Sequence, residues 1–271
     1  MVDSAENGDA PAPAPPALDR ALAILWRDHA ELDAAAATRR GPRQRLSVDQ
    51  VIVAAIALAD VDGLSAVTIR KVADLLGIGA MSLYTYVPGR EELIGFMVDR
   101  VMADSPKPPF TGSLRGRLAA LADAQVAAVQ AHPWILDIDE SRPLIGPGGS
   151  DLWEWQLSAV EGQGFDDFEM QHTVSLVTGF ASMAARWIVN LEKVRGASDQ
   201  TDAEWWSDNA PLLTQLMPAD RYPISGRVGT SIGEAYQAAT HPQSTYRFGL
   251  ERILDGIELY LQRKGASAPD R

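Results

Sequence analysis

The chain has 271 residues, 46% hydrophobic and 22% charged, the balance of a globular protein large enough for one big domain or a small one joined to a larger. It has no cysteine, which excludes disulfides, thiolate metal sites and a cysteine nucleophile, and its net charge of -12 argues at first against a polyanionic partner. The longest apolar run, Val51 to Ala59, is nine residues, and the opening MVDSAENGDA lacks the basic and apolar regions of a secretory signal, so no membrane partner and a cytoplasmic location are expected.

Residues 1–17, rich in alanine and proline, predict a disordered tail. Leu18, Leu22, Leu25, His29, Leu32 and Ala36 recur at four- and three-residue steps and predict a helix from Leu18 to Ala37. RRGPRQR, residues 39–45, then reads as a basic linker broken by Gly41-Pro42, so 18–45 form an additional N-terminal helix and linker. Ser47 caps the next predicted helix, which runs to about Asp62 and stops at Gly63. Thr68 caps another, ending at Gly77; a brief helix over Ala80–Tyr86 follows and is closed by Pro88-Gly89. Arg90-Glu91-Glu92 opens a further helix to about Asp104, its two acids suiting the positive end of the helix dipole. Between Arg39 and Arg90 the charge is +3, although the whole chain carries -12. Such a basic island in an acidic protein suits docking on a nucleic acid, while chance clustering is the plain alternative.

Pro106, Pro108 and Pro109 mark a boundary after the segment 46–104, and beyond them 110–265 reads as a second domain. Its predicted helices span roughly 112–131, 149–163, 166–194, 202–217, 229–240 and 244–263, with LIGPGGSD before the second of them read as a loop. No stretch alternates with a period of two, and no internal repeat is present. The fold class is therefore all-α. In the helix from 166, Met170, Val174, Val177, Ala181, Ala184, Ile188 and Leu191 form one apolar stripe. Thr173, Leu176, Phe180, Met183, Trp187, Asn190 and Val194 form a second beside it. Two stripes imply burial over a wide arc, against the domain's own core and against something else. Tyr246, Leu250, Ile253, Ile257 and Tyr260 stripe the last helix, and Gly249 and Gly256 on another of its faces would admit a close neighbour. An intermolecular bundle and a pair of central helices in a monomer both fit these patterns.

VADLLGIGAMSLYTYV, residues 72–87, has the form of a helix, a glycine turn and a second helix whose outer face the core does not need. Ile78, Leu83 and Val87 would anchor the unit, leaving Ala80, Met81, Ser82, Tyr84, Thr85 and Tyr86 outward or sideways. A short helix suits a major groove, where only the first turns reach base edges. The wider stretch from Ala55 to Val101 resembles the DNA-binding domain of the tetracycline-repressor (TetR) family. The matching elements are Thr68-x-Arg70 with Ala73, Leu76-Gly77-Ile78, Leu83-Tyr84-x-Tyr86-Val87, and Arg90 before Glu91-Glu92-Leu93. AHPWIL near 131 and FGLERILDGIELYL from Phe248 are similar to the same family's C-terminal domain.

The resemblance implies a three-helix helix-turn-helix DNA-binding domain, a larger helical domain for ligand binding and dimerisation, and double-stranded operator DNA as partner. It implies a homodimer through the helices at 166–194 and 244–263. Carried over by position, Thr68 caps its helix and holds a phosphate, and Arg70 reaches toward base edges. Ala80, Met81, Ser82, Thr85 and Tyr86 are recognition contacts, with Tyr86 alternatively a prop. Tyr84 and Arg90 are phosphate contacts, and Tyr84 is alternatively part of the core. Arg43 and Arg45, with Arg39 and Arg40, form either an arm on the DNA or a soluble linker. The implied effector is a hydrophobic, aromatic small molecule that releases a repressor from its operator. Trp134, Trp153, His172, Phe180, Met183, Trp187 and Asn190 are its candidate contacts, each alternatively plain core. The four histidines are not spaced as ligands on one helix, so no metal is expected, and no cofactor. Nucleophile elbows, phosphate loops and paired helical histidines are absent from the sequence, which points away from an enzyme. The rival reading is a dimeric small-molecule-binding module of the same architecture without operator binding.

Overall fold

A computed structural model describes residues 17–28, 46–138 and 144–267, so Arg39, Arg40, Arg43 and Arg45 lie outside the described residues. Among those residues there are eleven α-helices and two short 3-10 turns, and no strand. The all-α expectation holds. The chain divides into two compact units, one taking in residues up to Asp104 together with 139–151, the other 105–138 and 152–271.

The first unit holds α1 (Ala17–Leu25), α2 (Val48–Asp62), α3 (Ile69–Leu75), α4 (Ala80–Leu83) and α5 (Arg90–Asp104). Local chemistry sets its boundaries. Gln50 N donates to Ser47 Oγ at 3.1 Å while Ser47 N donates to Gln50 Oε1 at 2.8 Å, a reciprocal capping box that starts α2. Gly63, with φ +80°, ends it. α3 starts where Lys71 N donates to Thr68 Oγ1 and ends in a Schellman closure, Gly77 N to Asp74 O at 3.2 Å and Ile78 N to Ala73 O at 3.0 Å. Gly77 takes φ +66°, which a side chain would strain. Packing of α2 on α5, and of α3 on α2 and α4, buries Val51, Val72, Leu83, Val87, Leu93, Phe96 and Met97.

Residues 144–151 complete this unit, and here the structure corrects the loop reading of LIGPGGSD. Pro147 to Asp151 form the first turns of α7 (Pro147–Ser158). Gly149 N donates to Asp99 Oδ1 at 2.8 Å, and a Cβ on Gly148 would lie 2.1 Å from the Asp99 carbonyl oxygen. The glycines are there because two backbones touch, not because a loop needs freedom. Burial pushes the Asp99 carboxyl above its ordinary range, against the pull of the Gly149 and Gly148 amides. The N-terminal helix expected to reach Ala37 is described as Ala17–Leu25 followed by a turn to Asp28, and the remainder of that expectation lies outside the described residues.

The second unit holds α6 (Leu114–Ala131), most of α7, α8 (Asp167–Gly196), α9 (Asp202–Leu216), α10 (Pro223–Tyr236) and α11 (Pro242–Ser267). Its core is one cluster drawn from α6, α8 and α11, including Leu118, Leu121, Val174, Val177, Ala181, Leu250, Leu254 and Ile257. α8 is long and apolar enough by composition to cross a membrane, but it starts on an Asp166–Glu169 capping box and its first stripe is this helical core. Tyr246 Oη donates to Asp123 Oδ1 at 2.8 Å inside that layer, and burial pushes its hydroxyl well above the usual phenol range. α10 begins at Pro223, six residues before the expected 229, because proline serves as a first helical residue and Gly226 and Gly229 are carried inside the helix. α9 and α10 pair by setting the Trp206 ring against Gly233, and α9 buries no residue fully.

Candidate nucleic-acid interface

The recognition segment is shorter than the sequence suggests. α4 has four α-helical residues, and Tyr84 to Tyr86 continue as turns, with Tyr86 N and Val87 N both donating to Leu83 O. Such a short element has no stability of its own, so its position comes from Leu83, which is fully buried, and from the turn at Gly77. The remaining side chains divide cleanly. Met81 is 81% exposed, Ser82, Tyr84 and Thr85 are exposed, and Ala80 is half-buried at the first turn. Arg70 and Lys71 are exposed at the start of α3. The arrangement presents one basic residue pair, three hydroxyls and a thioether from two adjacent helix starts, suited to phosphates, base edges and thymine methyl groups.

Two expected contacts are placed otherwise than as free side chains on the surface. Tyr86 is buried, 9% exposed, a placement that suits the prop alternative more than a side chain facing a groove. Arg90 does not extend as a free anchor: its Nε donates to Val67 O at 2.7 Å, its Nη2 to Leu64 O at 3.1 Å and its Nη1 to Glu91 Oε1 at 3.1 Å. It thereby ties the start of α5 to the 3-10 turn Leu64–Ala66, immediately before the Thr68 cap.

Arg20, which sequence reasoning did not single out, reaches the same site from α1. Its Nη2 donates to Tyr84 O at 2.8 Å and Thr85 O at 3.2 Å, the carbonyls just after α4. Nothing in a stretch 64 residues upstream could have signalled that pairing.

The candidate effector contacts in the second unit do not converge. Trp134 is buried, with His132 edge-on to its ring at 6.0 Å. Phe180 stacks on Tyr246 at 6.1 Å between ring centres and fills the space left by Gly249. That glycine therefore admits a ring of its own chain, whereas nothing lies within 4 Å of where a Cβ on Gly256 would sit. Trp153 is exposed and donates from Nε1 to Gln171 Oε1 at 3.0 Å. His172, Met183, Trp187 and Asn190 lie exposed along α8. A cavity of about 180 Å³ opens instead among Leu191, Val194, Arg195, Trp205 and Ala238, and none of the seven candidates lines it. Both stripes of α8 are real, but the second is buried only at Thr173 and half-buried at Phe180. Leu176, Met183, Trp187 and Val194 of the second remain in solvent.

Residues 105–261 match the family model described as "Tetracyclin repressor-like, C-terminal domain". The transcriptional repressor DrrR1 of Streptomyces coeruleorubidus is 36% identical over 254 residues, covering 92% of this chain and 89% of that protein. Among solved structures, ligand-free ActR of Streptomyces coelicolor superposes with a TM-score of 0.64 at 23% identity, covering 84% of this chain and 100% of ActR. ActR in complex with actinorhodin gives 0.64 at 21% identity, covering 80% and 99%. At these identities the two structures speak for the fold alone.

Proposed function

The chain belongs to the TetR family of transcriptional regulators, and we propose that it is a dimeric repressor whose α3–α4 surface reads an operator and which a hydrophobic, aromatic small molecule releases. The observation that carries this reading is the split across α4 and the turn after it, where Leu83 is buried and Met81, Ser82, Tyr84 and Thr85 are all outside. A helix kept only for packing would not spend most of its surface on solvent-facing hydroxyls and a thioether. Arg70 supplies base-edge or phosphate contact and Thr68 fixes the cap beside it. Residues 46–104 thus act as the DNA-reading domain and 110–265 as the sensing and dimerising one, and the protein works in the cytoplasm where its operator is.

Dimerisation is supported by the large side chains that the second unit leaves in solvent on two helices, Leu176, Met183 and Trp187 on α8 and Phe248, Leu259 and Tyr260 on α11. A partner copy laying the same helices across them would bury both sets at once, the self-complementary arrangement a two-fold axis requires. The effector reading rests on the aromatic content of this unit, with Trp134 and Phe180 nearest its interior, and on ActR's capture of actinorhodin within the same fold. An effector that prefers one arrangement of the dimer over another weakens operator binding by that difference in affinity and no more.

Gel-shift and anisotropy titrations with DNA from upstream of the gene test the reading. Binding of one dimer to one site, with log affinity falling linearly against log salt, is expected. Actinorhodin is the first effector probe, expected to raise the melting temperature and release the DNA. A dimer that binds small molecules but no promoter fragment would overturn the operator reading in favour of a binding module.

A further inference from the structure

The described part of the N-terminal segment is a built component of the first unit. Ala21 is fully buried and Leu25 nearly so, which docks α1 against that unit's interior. Three polar contacts then spread from this short helix and the turn after it to three different places. Arg20 Nη2 donates to Tyr84 O at 2.8 Å and Thr85 O at 3.2 Å. Arg27 Nη2 meets Asp49 Oδ1 at 2.6 Å, beside the start of α2. Trp26 Nε1 donates to Ile145 O at 3.1 Å, in the segment that leads into α7.

The carbonyls that Arg20 takes matter most. A helix leaves its last carbonyls without intrahelical partners, and α4 has only four residues to hold itself with. Leu83 O already accepts from Tyr86 N and Val87 N, and Ser82 O from Thr85 N. Tyr84 O and Thr85 O come next in the chain and belong to the two exposed residues that close the reading surface. A guanidinium spanning both fixes the backbone from which Tyr84 and Thr85 project, and its charge sits at the end of the helix where a cation is favoured.

We propose that Arg20 is a positioning residue for operator recognition, holding the C-terminal turn of the reading helix in its DNA-competent geometry from the additional N-terminal helix. The assignment rests on the operator-binding reading above. Arg20 acts here through backbone carbonyls, so its loss lowers the fraction of molecules whose reading helix is competent, and apparent affinity falls by that fraction. Sequence-independent attraction to phosphates is untouched by that mechanism, which separates it from a simple phosphate contact.

The test uses the full chain and its Arg20→Ala and Arg20→Lys variants. Arg20→Ala is expected to weaken specific operator binding about tenfold, with non-specific binding and the salt slope unchanged. Arg20→Lys, which still donates to at least one carbonyl, is expected to recover part of that loss. Hydrogen exchange on the free protein is expected to quicken at the amides of residues 84–87 in Arg20→Ala and not along α3. Equal specific affinity for wild type and Arg20→Ala would overturn the proposal. So would a salt slope lowered by about one unit together with weaker non-specific binding, since that marks a direct phosphate contact. Unchanged exchange at 84–87 would overturn it without any DNA in the experiment. Failure of the wild type to bind any promoter fragment, with exchange changed as expected, would sink the operator reading instead.

Discussion

The chain's shortest and longest helices do opposite jobs with opposite means. α4 has four residues and is placed by its surroundings, through Leu83 in the core, the left-handed Gly77 before it and Arg20 on the carbonyls after it. α8 has thirty residues, begins on its own capping box and buries one stripe in its own unit, while most of a parallel stripe stays in solvent. For the first, function is a small exposed patch whose geometry a single chain determines. For the second, the proposed dimer gives the surface left over its use, and on that reading a single chain holds only half of what the helix is for.

The sharpest way to break that comparison is to remove the anchor of α4. Leu83→Ala empties a fully buried site and is expected to cost about 3 kcal/mol, because the transfer term and the cavity add. Urea denaturation measures it, and operator binding should fall further than stability alone accounts for. A loss under about 1 kcal/mol would mean that the short helix settles elsewhere and is not held by its core residue.

Next in size is the opposite operation on α8. Replacing Leu176 and Trp187 by glutamate places charges on the solvent-facing stripe, where the isolated chain has little to lose. Thermal melting of a dilute sample is expected to change by less than the equivalent of about 1 kcal/mol. Sedimentation equilibrium is expected to shift from the dimer mass to the monomer mass. Operator affinity is expected to fall about a hundredfold, close to 2.7 kcal/mol, as one half-site is lost. A double variant that stays dimeric would show that this stripe is not the seam.

These two regions also differ in how much a reader of the sequence could see. Ser47, Thr68 and Gly77 announced their caps and turns because those rules act over a few residues, and the structure bears each out in hydrogen bonds. The exposed hydroxyl set of α4 was legible for the same reason. The carbonyl partners of Arg90 were hidden because a basic residue at a helix start suits a phosphate as well as it suits the carbonyls of Leu64 and Val67, and only the fold brings those carbonyls near. Gly148 and Gly149 were misread because a run of glycines signals a loop unless one knows that the Asp99 carbonyl lies against Gly148 and the Asp99 carboxylate takes the Gly149 amide. Arg20 gave no signal at all. In the second unit, Met183 and Trp187 carried two readings, pocket wall and partner seam, and periodicity alone could not choose between them.

The smallest expected effect concerns the place where α8 is anchored to α11. Glu169 belongs to the capping box that opens α8, and it also takes bonds from Lys264 Nζ and Tyr260 Oη. Lys264 foremost, then the Tyr260 hydroxyl and the Asp166 amide, hold the Glu169 carboxyl down to about 2. A carboxyl lowered in the folded state contributes stability that is fully present above its unfolded value of about 4.3 and lost as pH falls toward the folded one. Lys264→Ala removes the first of these causes and also the bond from Nζ to Gly164 O, which does not depend on the acid's titration. The difference in melting temperature between wild type and variant is therefore expected to be largest near neutral pH. It should narrow steadily from about pH 5 to about pH 2, and leave a small residue from the lost carbonyl bond. Added salt should narrow it too, because the pair is only partly buried and is still screened. A difference that holds constant down to the lowest pH would show that Lys264 acts through the Gly164 carbonyl and its own aliphatic stem, with the charge on Glu169 a bystander.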